Sequence, residues 1–530
     1  MKSTIGPIIA RAVCIAAMLC TGRAEAAAPA VVPLGPQQID ALVERAMRTF
    51  SVPGAAVGII QDGKVVYSRG YGVRTLGKQE PVDGNTVFAI GSISKGLTTA
   101  ALAMLVDEGR LHWDDRIVDL LPEFQLMDPW TTREITLRDL LLHRSGLAKG
   151  AGDLMFVPQT DFSRAEVMHA LRYLKPATSF RSQFAYDNLL YMVAGEIIPS
   201  LTGQSWEQFV DTRVLGPARM RDCAASAASL PARAVLATPH SMVDGTLTAV
   251  PPLDLSLVAA AGSAQCNVAG LVRFLQAQLA DGQLPDGQRL YSAERQHEMW
   301  TPQALMPVGG ERAAMTRTHF QAYGLGWVIQ DFAGFKRVYH NGGVIGMVTH
   351  VSMVPELKLG VIVLTNQQDP WAVMAIADSI VESYATLNRH DWVSFLEKQS
   401  AAVAQAVARA DAAATVMPLA VQPDSTERAV FAGTYRDAWR GEVTVRESGS
   451  GLELSFSRTH GLHGTLVAVG PDLFVVRWSD RSLHADAYVR FARGYDGVPE
   501  SISMQAVSAA TDSSFDFGDL HLSRVDRSSP

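Results

Sequence analysis

Two residues with the chemistry of a nucleophile and a base lie three positions apart in the segment Gly91-Ser92-Ile93-Ser94-Lys95. The residues that follow have apolar side chains at helical spacing: Leu97, Ala100, Ala101, Met104 and Leu105. On a helix, positions i and i+3 share a face. Ser92 would lie in the first turn of the helix, where its backbone N–H has no partner within the helix and the positive end of the helix dipole lies beside it. Lys95 can act as a base if burial lowers its pKa from about 10.4 toward neutrality. By itself, the spacing is also typical of a helix cap with an exposed lysine.

Two more segments carry groups that suit acyl transfer. Tyr186-Asp187-Asn188 opens an apolar helix, and its phenol and amide can hydrogen-bond a serine and a substrate carbonyl. Helix initiation by Asp and Asn is the simpler explanation of that segment. His340-Asn341-Gly342-Gly343 precedes a strand, and its glycines would let a ligand approach the backbone closely, although an ordinary turn explains them too.

Together the three motifs are specific, and they resemble those of the penicillin-recognising serine hydrolases. That family includes class C β-lactamases, DD-peptidases, D-aminopeptidases and related esterases, and its motif order is S-x-x-K, Y-x-N, then K-T-G or H-x-G. Flanking segments match as well: Val52-Pro53-Gly54, residues 141–147 and Ala261-Gly262-Ser263. The resemblance covers about residues 37–387 and implies a covalent acyl-enzyme.

The resemblance assigns a role to each motif residue. Ser92 would attack the carbonyl, while Lys95 and Tyr186 would handle the proton of its hydroxyl and then of the leaving group. The remaining positions would contact the substrate or the oxyanion: Asn188, His340 and Gly342 as substrate-binding residues, and the N–H groups of Ser92 and Gly343 as the oxyanion hole.

The histidine of the third motif bears on the substrate. His340 stands where many relatives have a lysine that helps to hold a carboxylate, and a histidine would be mostly neutral at pH 7. We therefore expect a serine hydrolase of peptides, including D-amino-acid peptides, or of esters. The alternatives are a class C-like β-lactamase, with another cation supplying the charge, and a penicillin-binding sensor with little turnover.

The order of elements predicts an α+β fold. Apolar, β-rich runs lie on either side of Asp62-Gly63, helical patches alternate with loops over 120–254, and strand signals return over 338–364. A closing helix should start near Asp369, which suits its N-cap, and end near Tyr384. We therefore expect an antiparallel sheet flanked by helices, with an all-helical lobe inserted into it.

The composition changes at about residue 388. Residues 391–415 are Ala-rich and helical, and short alternating strands follow, which predicts a small all-β barrel or sandwich. Gly433-Thr434-Tyr435 and the strand rhythm resemble the small β-barrel modules attached to some of these hydrolases. The expected division is a signal peptide at 1–26, the hydrolase domain at 27–388, a helical connector at 389–425 and the β domain at 426–527.

The N-terminus has the features of an export signal. Lys2 and Arg11 supply its positive charge, and a short apolar run follows over residues 12–20. Ala24-Glu25-Ala26 fits a cleavage site. A lipoprotein anchored at Cys20 is the alternative, although Leu19 stands where a small residue is expected. We expect a periplasmic or secreted protein without a transmembrane segment in the mature chain.

Composition also limits the partners. The 46 basic and 53 acidic residues show no basic cluster, which argues against nucleic acid. Cys223 and Cys266 could pair in an oxidising compartment or remain two buried thiols. His460 and His463 lack carboxylate partners, so we expect neither a metal nor a cofactor. The expected partner is a small-molecule or short-peptide substrate, and the sequence does not predict the oligomeric state.

Overall fold

The computed structural model describes residues 31–414, 419 and 422–525, so the predicted signal peptide lies outside the described residues. Helices of the described part are α1 (Pro36–Thr49), α2 (Ser94–Asp107), α3 (Ile117–Leu120), α4 (Pro129–Glu134), α5 (Leu137–Leu141), α6 (Arg164–Ala170), α7 (Asn188–Thr202), α8 (Trp206–Phe209), α9 (Ala259–Gly262), α10 (Val268–Leu279), α11 (Ala293–Met299), α12 (Gly310–Thr316), α13 (Pro370–Ala385), α14 (Trp392–Ala414) and α15 (Ser425–Phe431). Within these residues, no helix combines the length and the apolar character needed to cross a membrane.

The strands are β1 (Gly54–Gln61), β2 (Lys64–Gly72), β3 (Phe88–Ala89), β4 (His240–Val243), β5 (Thr246–Ala249), β6 (Gln265–Cys266), β7 (Ala304–Met306), β8 (Gln321–Tyr323), β9 (Val328–Phe332), β10 (Phe335–Val344), β11 (Met347–Val354), β12 (Leu359–Thr365), β13 (Gly433–Asp437), β14 (Gly441–Ser448), β15 (Gly451–Phe456), β16 (His463–Gly470), β17 (Leu473–Trp478), β18 (Ala487–Arg493), β19 (Pro499–Ala506) and β20 (Leu522–Arg524).

An eight-stranded antiparallel sheet forms the centre of the hydrolase part, in the order β2-β1-β12-β11-β10-β9-β8-β7. Its first and last long strands in the sequence lie side by side, with Ala55 of β1 opposite Thr365 of β12. The predicted α+β class is therefore confirmed, and the helices α3 to α8 form the predicted lobe between the two groups of strands.

Helices cover both faces of the central strands. Ala56 and Ile60 of β1 belong to the larger hydrophobic core, whereas Val57 and Ile59 belong to a second core beneath α1 and α13. Because strand side chains alternate between faces, a strand buried on both faces appears in the sequence as a continuous apolar run. The closing helix α13 begins as predicted, with Asp369 capping the Trp371 N–H at 2.7 Å.

A disulfide joins Cys223 to Cys266, which settles the choice between paired and free cysteines. It closes a loop of 43 residues and fixes the segment after the helical lobe against β6. A cross-link of this kind stabilises a fold mainly by restricting the unfolded chain.

The C-terminal strands β13 to β20 close into a barrel, so the barrel rather than the sandwich is correct. Its interior is filled by buried apolar side chains, among them Tyr435, Leu454, Phe474, Trp478 and Phe491. The barrel is docked on the helical lobe. Arg458 pairs there with Asp161 and with Glu166, at 3.2 Å from the latter, and stacks 4.3 Å above the ring of Phe162.

Candidate active site

Two glycines bring the Ser92 segment against strand β10. Ser92 lies on a short 3-10 turn, Gly91–Ile93, immediately before α2 rather than within its first turn. Gly91 has φ +52°, and a Cβ on it would lie 2.8 Å from the Gly343 nitrogen. A Cβ on Gly342 would lie 1.8 Å from the Ile90 carbonyl oxygen. The space beside Gly342 is therefore filled by the Ile90 carbonyl, which precedes the serine turn. At Gly343, no described residue other than its two chain neighbours has an atom within 4 Å of the Cβ position.

Lys95 is completely buried beside Ser92. Its Nζ lies 3.2 Å from Ser92 Oγ, 2.8 Å from Asn188 Oδ1 and 3.0 Å from the Ala261 carbonyl oxygen. The rings of Tyr186 and Tyr191 enclose it, with Nζ 4.6 and 5.1 Å from their centroids. Position i+3 thus delivers the contact that the sequence predicted.

The surroundings of Lys95 favour the neutral amine. Burial lowers the pKa of Lys95 from 10.5 to about 7, and the nearby Asp153 and Asp187 oppose that shift. A free amine 3.2 Å from a serine hydroxyl is able to accept its proton.

Tyr186 contacts both Lys95 and the serine. Its hydroxyl is hydrogen-bonded to the Ser92 side chain, and burial raises the pKa of Tyr186, so the phenol keeps its proton at neutral pH. The neutral ring of His143 packs 4.3 Å from the Tyr186 ring, and its Nδ1 accepts the Asp187 N–H at 3.0 Å. His143 therefore contacts the segment that carries Tyr186 and not the serine itself.

The amide of Asn188 is held between two groups. Its Oδ1 accepts from Lys95, and its Nδ2 donates to Asp153 Oδ2 at 2.8 Å. Asp153 also accepts from Ser514 Oγ at 3.1 Å, and Ser514 belongs to the barrel. Sequence reasoning missed Asp153 and Ser514, because no local pattern relates residues that are 361 positions apart.

His340 is buried, with 5% of its surface exposed, and both ring nitrogens are bonded within the protein. A backbone carbonyl can only accept, so Nδ1 donates to the Asn341 oxygen at 2.6 Å, and Nε2 accepts from the Tyr323 hydroxyl at 2.9 Å. Burial, and then the charge of Lys95, lowers the pKa of His340 to about 3. The ring is therefore neutral, as the sequence predicted, and has no N–H left for a substrate carboxylate.

A buried network fixes the neighbouring Asn341. Arg337 Nη2 lies 3.1 Å from His350 Nε2, and since a guanidinium can only donate, His350 carries its proton on Nδ1. That proton is donated to Asn341 Oδ1 at 2.6 Å. The Asn341 amide therefore turns its oxygen toward His350, which leaves its two Nδ2 hydrogens for other partners.

These groups open into a cleft of about 640 Å³, a size suited to a small molecule or a short peptide. Ser92, Asn188 and Gly343 line its floor. Lys149 and Asp512 contribute opposite charges to its lining. Two loops of the barrel also reach this cleft: Ser482, Leu483, Asp512, Ser514 and Phe515.

Two family models match separate parts of this chain. Residues 39–385 match the family model described as Beta-lactamase, and residues 418–524 match a domain of unknown function, DUF3471. Penicillin-binding protein 4 of Amycolatopsis lactamdurans is 30% identical over 61% of this chain and 83% of its own length. The unguisins hydrolase ungD' of Aspergillus campestris is 24% identical over 88% of this chain and 89% of its own.

Solved structures share this fold over most of the chain. The octameric penicillin-binding protein homologue from Pyrococcus abyssi superposes with a TM-score of 0.60 at 21% identity, covering 89% of this chain and 98% of its own. SurE superposes with a TM-score of 0.53 at 21% identity, covering 92% and 98%. The family model spans well over half of the sequence, so the chain belongs to the beta-lactamase family of serine hydrolases.

Proposed function

We propose that this protein is an exported hydrolase that forms an acyl-enzyme on Ser92 with peptide or ester substrates, including peptides of D-amino acids. The observation that carries the proposal is the buried Lys95 amine, 3.2 Å from Ser92 Oγ and with a pKa of about 7. A surface lysine would be protonated and would not serve as a base at neutral pH.

In the proposed reaction the neutral Lys95 amine takes the proton of Ser92 Oγ as that oxygen attacks the substrate carbonyl. The backbone N–H groups of Ser92 and Gly343 stabilise the developing oxyanion. Tyr186 then gives its hydroxyl proton to the leaving group and regains one from Lys95, so that one proton passes from the serine to the leaving group. Water then hydrolyses the acyl-enzyme on Ser92, and the proton passes between the same groups in the reverse direction.

The substrate is proposed from the charges that the cleft offers. His340 is neutral and both of its ring nitrogens are bonded, so it holds the Tyr323 hydroxyl and the Asn341 carbonyl rather than a substrate carboxylate. A substrate whose carboxylate is blocked, as in an ester or an internal peptide bond, does not need a cation at this position for its binding. One relative is named as a hydrolase, of unguisins, which supports hydrolysis. A solved structure of similar fold is that of SurE with D-Leu, which supports substrates that contain D-amino acids.

One observation favours the alternative of a class C-like β-lactamase. The exposed Lys149 lines the same cleft and could supply the cation that His340 does not. In that case Lys149→Ala would weaken kcat/KM for a cephalosporin by about tenfold or more and leave a neutral ester unaffected.

The location and the domain boundaries are proposed on the same footing. The signal features at 1–26 motivate export. The change from the sheet and its helices to α14, and then to α15 and the barrel, supports the proposed boundaries near 388 and 426.

The decisive experiment is intact-mass spectrometry after incubation with a slow β-lactam and with a fluorophosphonate. We expect one adduct per chain, lost in Ser92→Ala. Ser94→Ala is the matched control, because the Ser94 hydroxyl is buried and bonded to the Gly91 carbonyl at 2.7 Å. An adduct that persists in Ser92→Ala would refute the proposed nucleophile.

A further inference from the structure

The barrel contributes a side chain to the hydrogen-bonded system around the nucleophile. Ser514 lies in the loop between β19 and β20, and its Oγ donates to Asp153 Oδ2 at 3.1 Å. The same carboxylate oxygen accepts from Asn188 Nδ2 at 2.8 Å, and Asn188 Oδ1 accepts from Lys95 Nζ at 2.8 Å. A continuous chain of hydrogen bonds therefore runs from the barrel to the base beside Ser92.

The segment carrying Asp153 is clamped between the active site and the barrel loop. Gly150 donates its N–H to the Tyr186 carbonyl at 2.8 Å. Gly150 also has φ +71°, and a Cβ on it would lie 2.9 Å from the Ser513 carbonyl oxygen. At the far end of the segment, the Gly152 backbone is hydrogen-bonded to Asp516. The docked barrel loop therefore fixes the position of residues 150–153.

Asp153 decides which way the Asn188 amide faces. The side chain of Asp153 is 1% exposed, and its Oδ1 has no hydrogen-bond partner among the residues that the structure describes, so the hydrogen bonds it accepts are made by Oδ2. In the structure the NH₂ of Asn188 faces Asp153 and the amide oxygen faces Lys95. The ionised form of Asp153 enforces this orientation, because an ionised carboxylate accepts and cannot donate. The second hydrogen of that NH₂ remains for a substrate carbonyl.

We propose that Asp153 is a positioning residue through which the docked barrel loop, residues 512–516, orients Asn188 and sets the basicity of Lys95. The inference deepens the function proposed above and rests on it, because it assumes that Lys95 activates Ser92. The hydrolase part and the barrel then form one catalytic unit.

The electrostatics around Asp153 give the proposal a signature that a merely structural residue would not have. Burial raises the pKa of Asp153 to about 7, while the bonds from Asn188 and Ser514 oppose the shift. The ionisable groups that face Asp153 are Lys95, Tyr186 and Asp187 from the hydrolase part, and Asp512 and Asp516 from the barrel loop. An ionised Asp153 stabilises the protonated Lys95, so removing its charge should lower the pKa of that lysine.

The test is the pH dependence of kcat/KM for a p-nitrophenyl ester in the full chain. Asp153→Asn keeps the shape of the side chain and removes its charge. We expect the acid limb of the profile, where kcat/KM falls as the pH is lowered, to lie at lower pH in this variant. Ser514→Ala removes one donor to the carboxylate, and we expect a smaller shift in the same direction with a two- to tenfold loss of kcat, about the effect of one hydrogen bond. Ser513→Ala is the matched control on the same loop, since that side chain is exposed.

The outcomes separate this proposal from the one beneath it. Loss of the Ser92 adduct in Ser92→Ala together with shifted limbs in Asp153→Asn and Ser514→Ala supports both. If Ser92 is required but Ser514→Ala matches Ser513→Ala and Asp153→Asn keeps the wild-type limb, the positioning role is wrong and the proposed function stands. If Asp153→Asn fails to fold, which circular dichroism would show, the comparison of the two serine variants decides alone.

Discussion

Acylation of this protein should depend on pH through Lys95. With a pKa of 10.5, about one lysine in three thousand would be neutral at pH 7, and with a pKa of about 7 one in two is neutral. Burial therefore increases the free-base population at neutral pH about a thousandfold. Since the neutral amine is the active form, kcat/KM should fall about tenfold for each pH unit below about 7 and level off above it.

The assay is kcat/KM for a p-nitrophenyl ester across the acidic and neutral range, repeated as the acylation rate with a fluorescent penicillin. Lys95→Ala should lower both by at least about a hundredfold and abolish the acid limb. Lys149→Ala is the matched control, because it removes an exposed lysine from the same cleft and should leave the position of the limb unchanged.

The histidines and the tyrosine near the serine do not account for such a limb. Burial lowers the pKa values of His143 and His340, so both rings stay neutral through this range. Burial raises the pKa of Tyr186, which removes the phenol as a source of an alkaline limb near neutrality. Asp153 titrates near Lys95, and Asp153→Asn separates the two. An acid limb that survives in Lys95→Ala, or one that lies near pH 10 in the wild type, would refute the reasoning.

Three more predictions concern single positions. Tyr186→Phe should lower the acylation rate by at least about a hundredfold without changing the pH of the limb, measured by stopped-flow labelling. Gly342→Ala should lower the unfolding temperature, because its Cβ would lie 1.8 Å from the Ile90 oxygen, whereas Gly343→Ala should unfold like the wild type by calorimetry. His340→Lys should improve kcat/KM for a cephalosporin relative to an ester by about ten- to a hundredfold, and an unchanged ratio would contradict our account of specificity.

Much of the fold could be predicted because the determining signals are local. Asp369 and Pro370 mark the start of α13, and the continuous apolar runs mark strands buried on both faces. The individual strands of the β-barrel have weaker local signals. Strand β16 contains Gly464 and ends at Gly470, and β20 is only three residues long. Such strands form because their neighbours supply the hydrogen bonds, which no window of sequence shows.

The candidate site divides in the same way. Ser92, Lys95 and Tyr186 could be named from the sequence, since each lies in a motif whose spacing determines its direction, and the structure brings them together. The sequence also predicted the neutral state of His340 but not its cause, which is enclosure by Tyr323 and a backbone carbonyl. The link from Asp153 to the barrel depends on the docking of two domains and has no local signal.

The basicity of Lys95 connects these observations. The lowering of its pKa has burial as its cause, and the charges that act on it, those of Asp153 and Asp187, work in the opposite direction. No neighbouring cation is among those causes, because the position on β10 that could carry one holds the neutral His340. A base that depends on burial is active only while its cover stays closed. Part of that cover is Asn188, which is held through Asp153 by the barrel. Opening the whole barrel interface would expose Lys95 to water, so it should raise the pKa of Lys95 and slow acylation at neutral pH. This is the opposite of the shift expected for Ser514→Ala, which removes one hydrogen bond to Asp153 and leaves the cover closed.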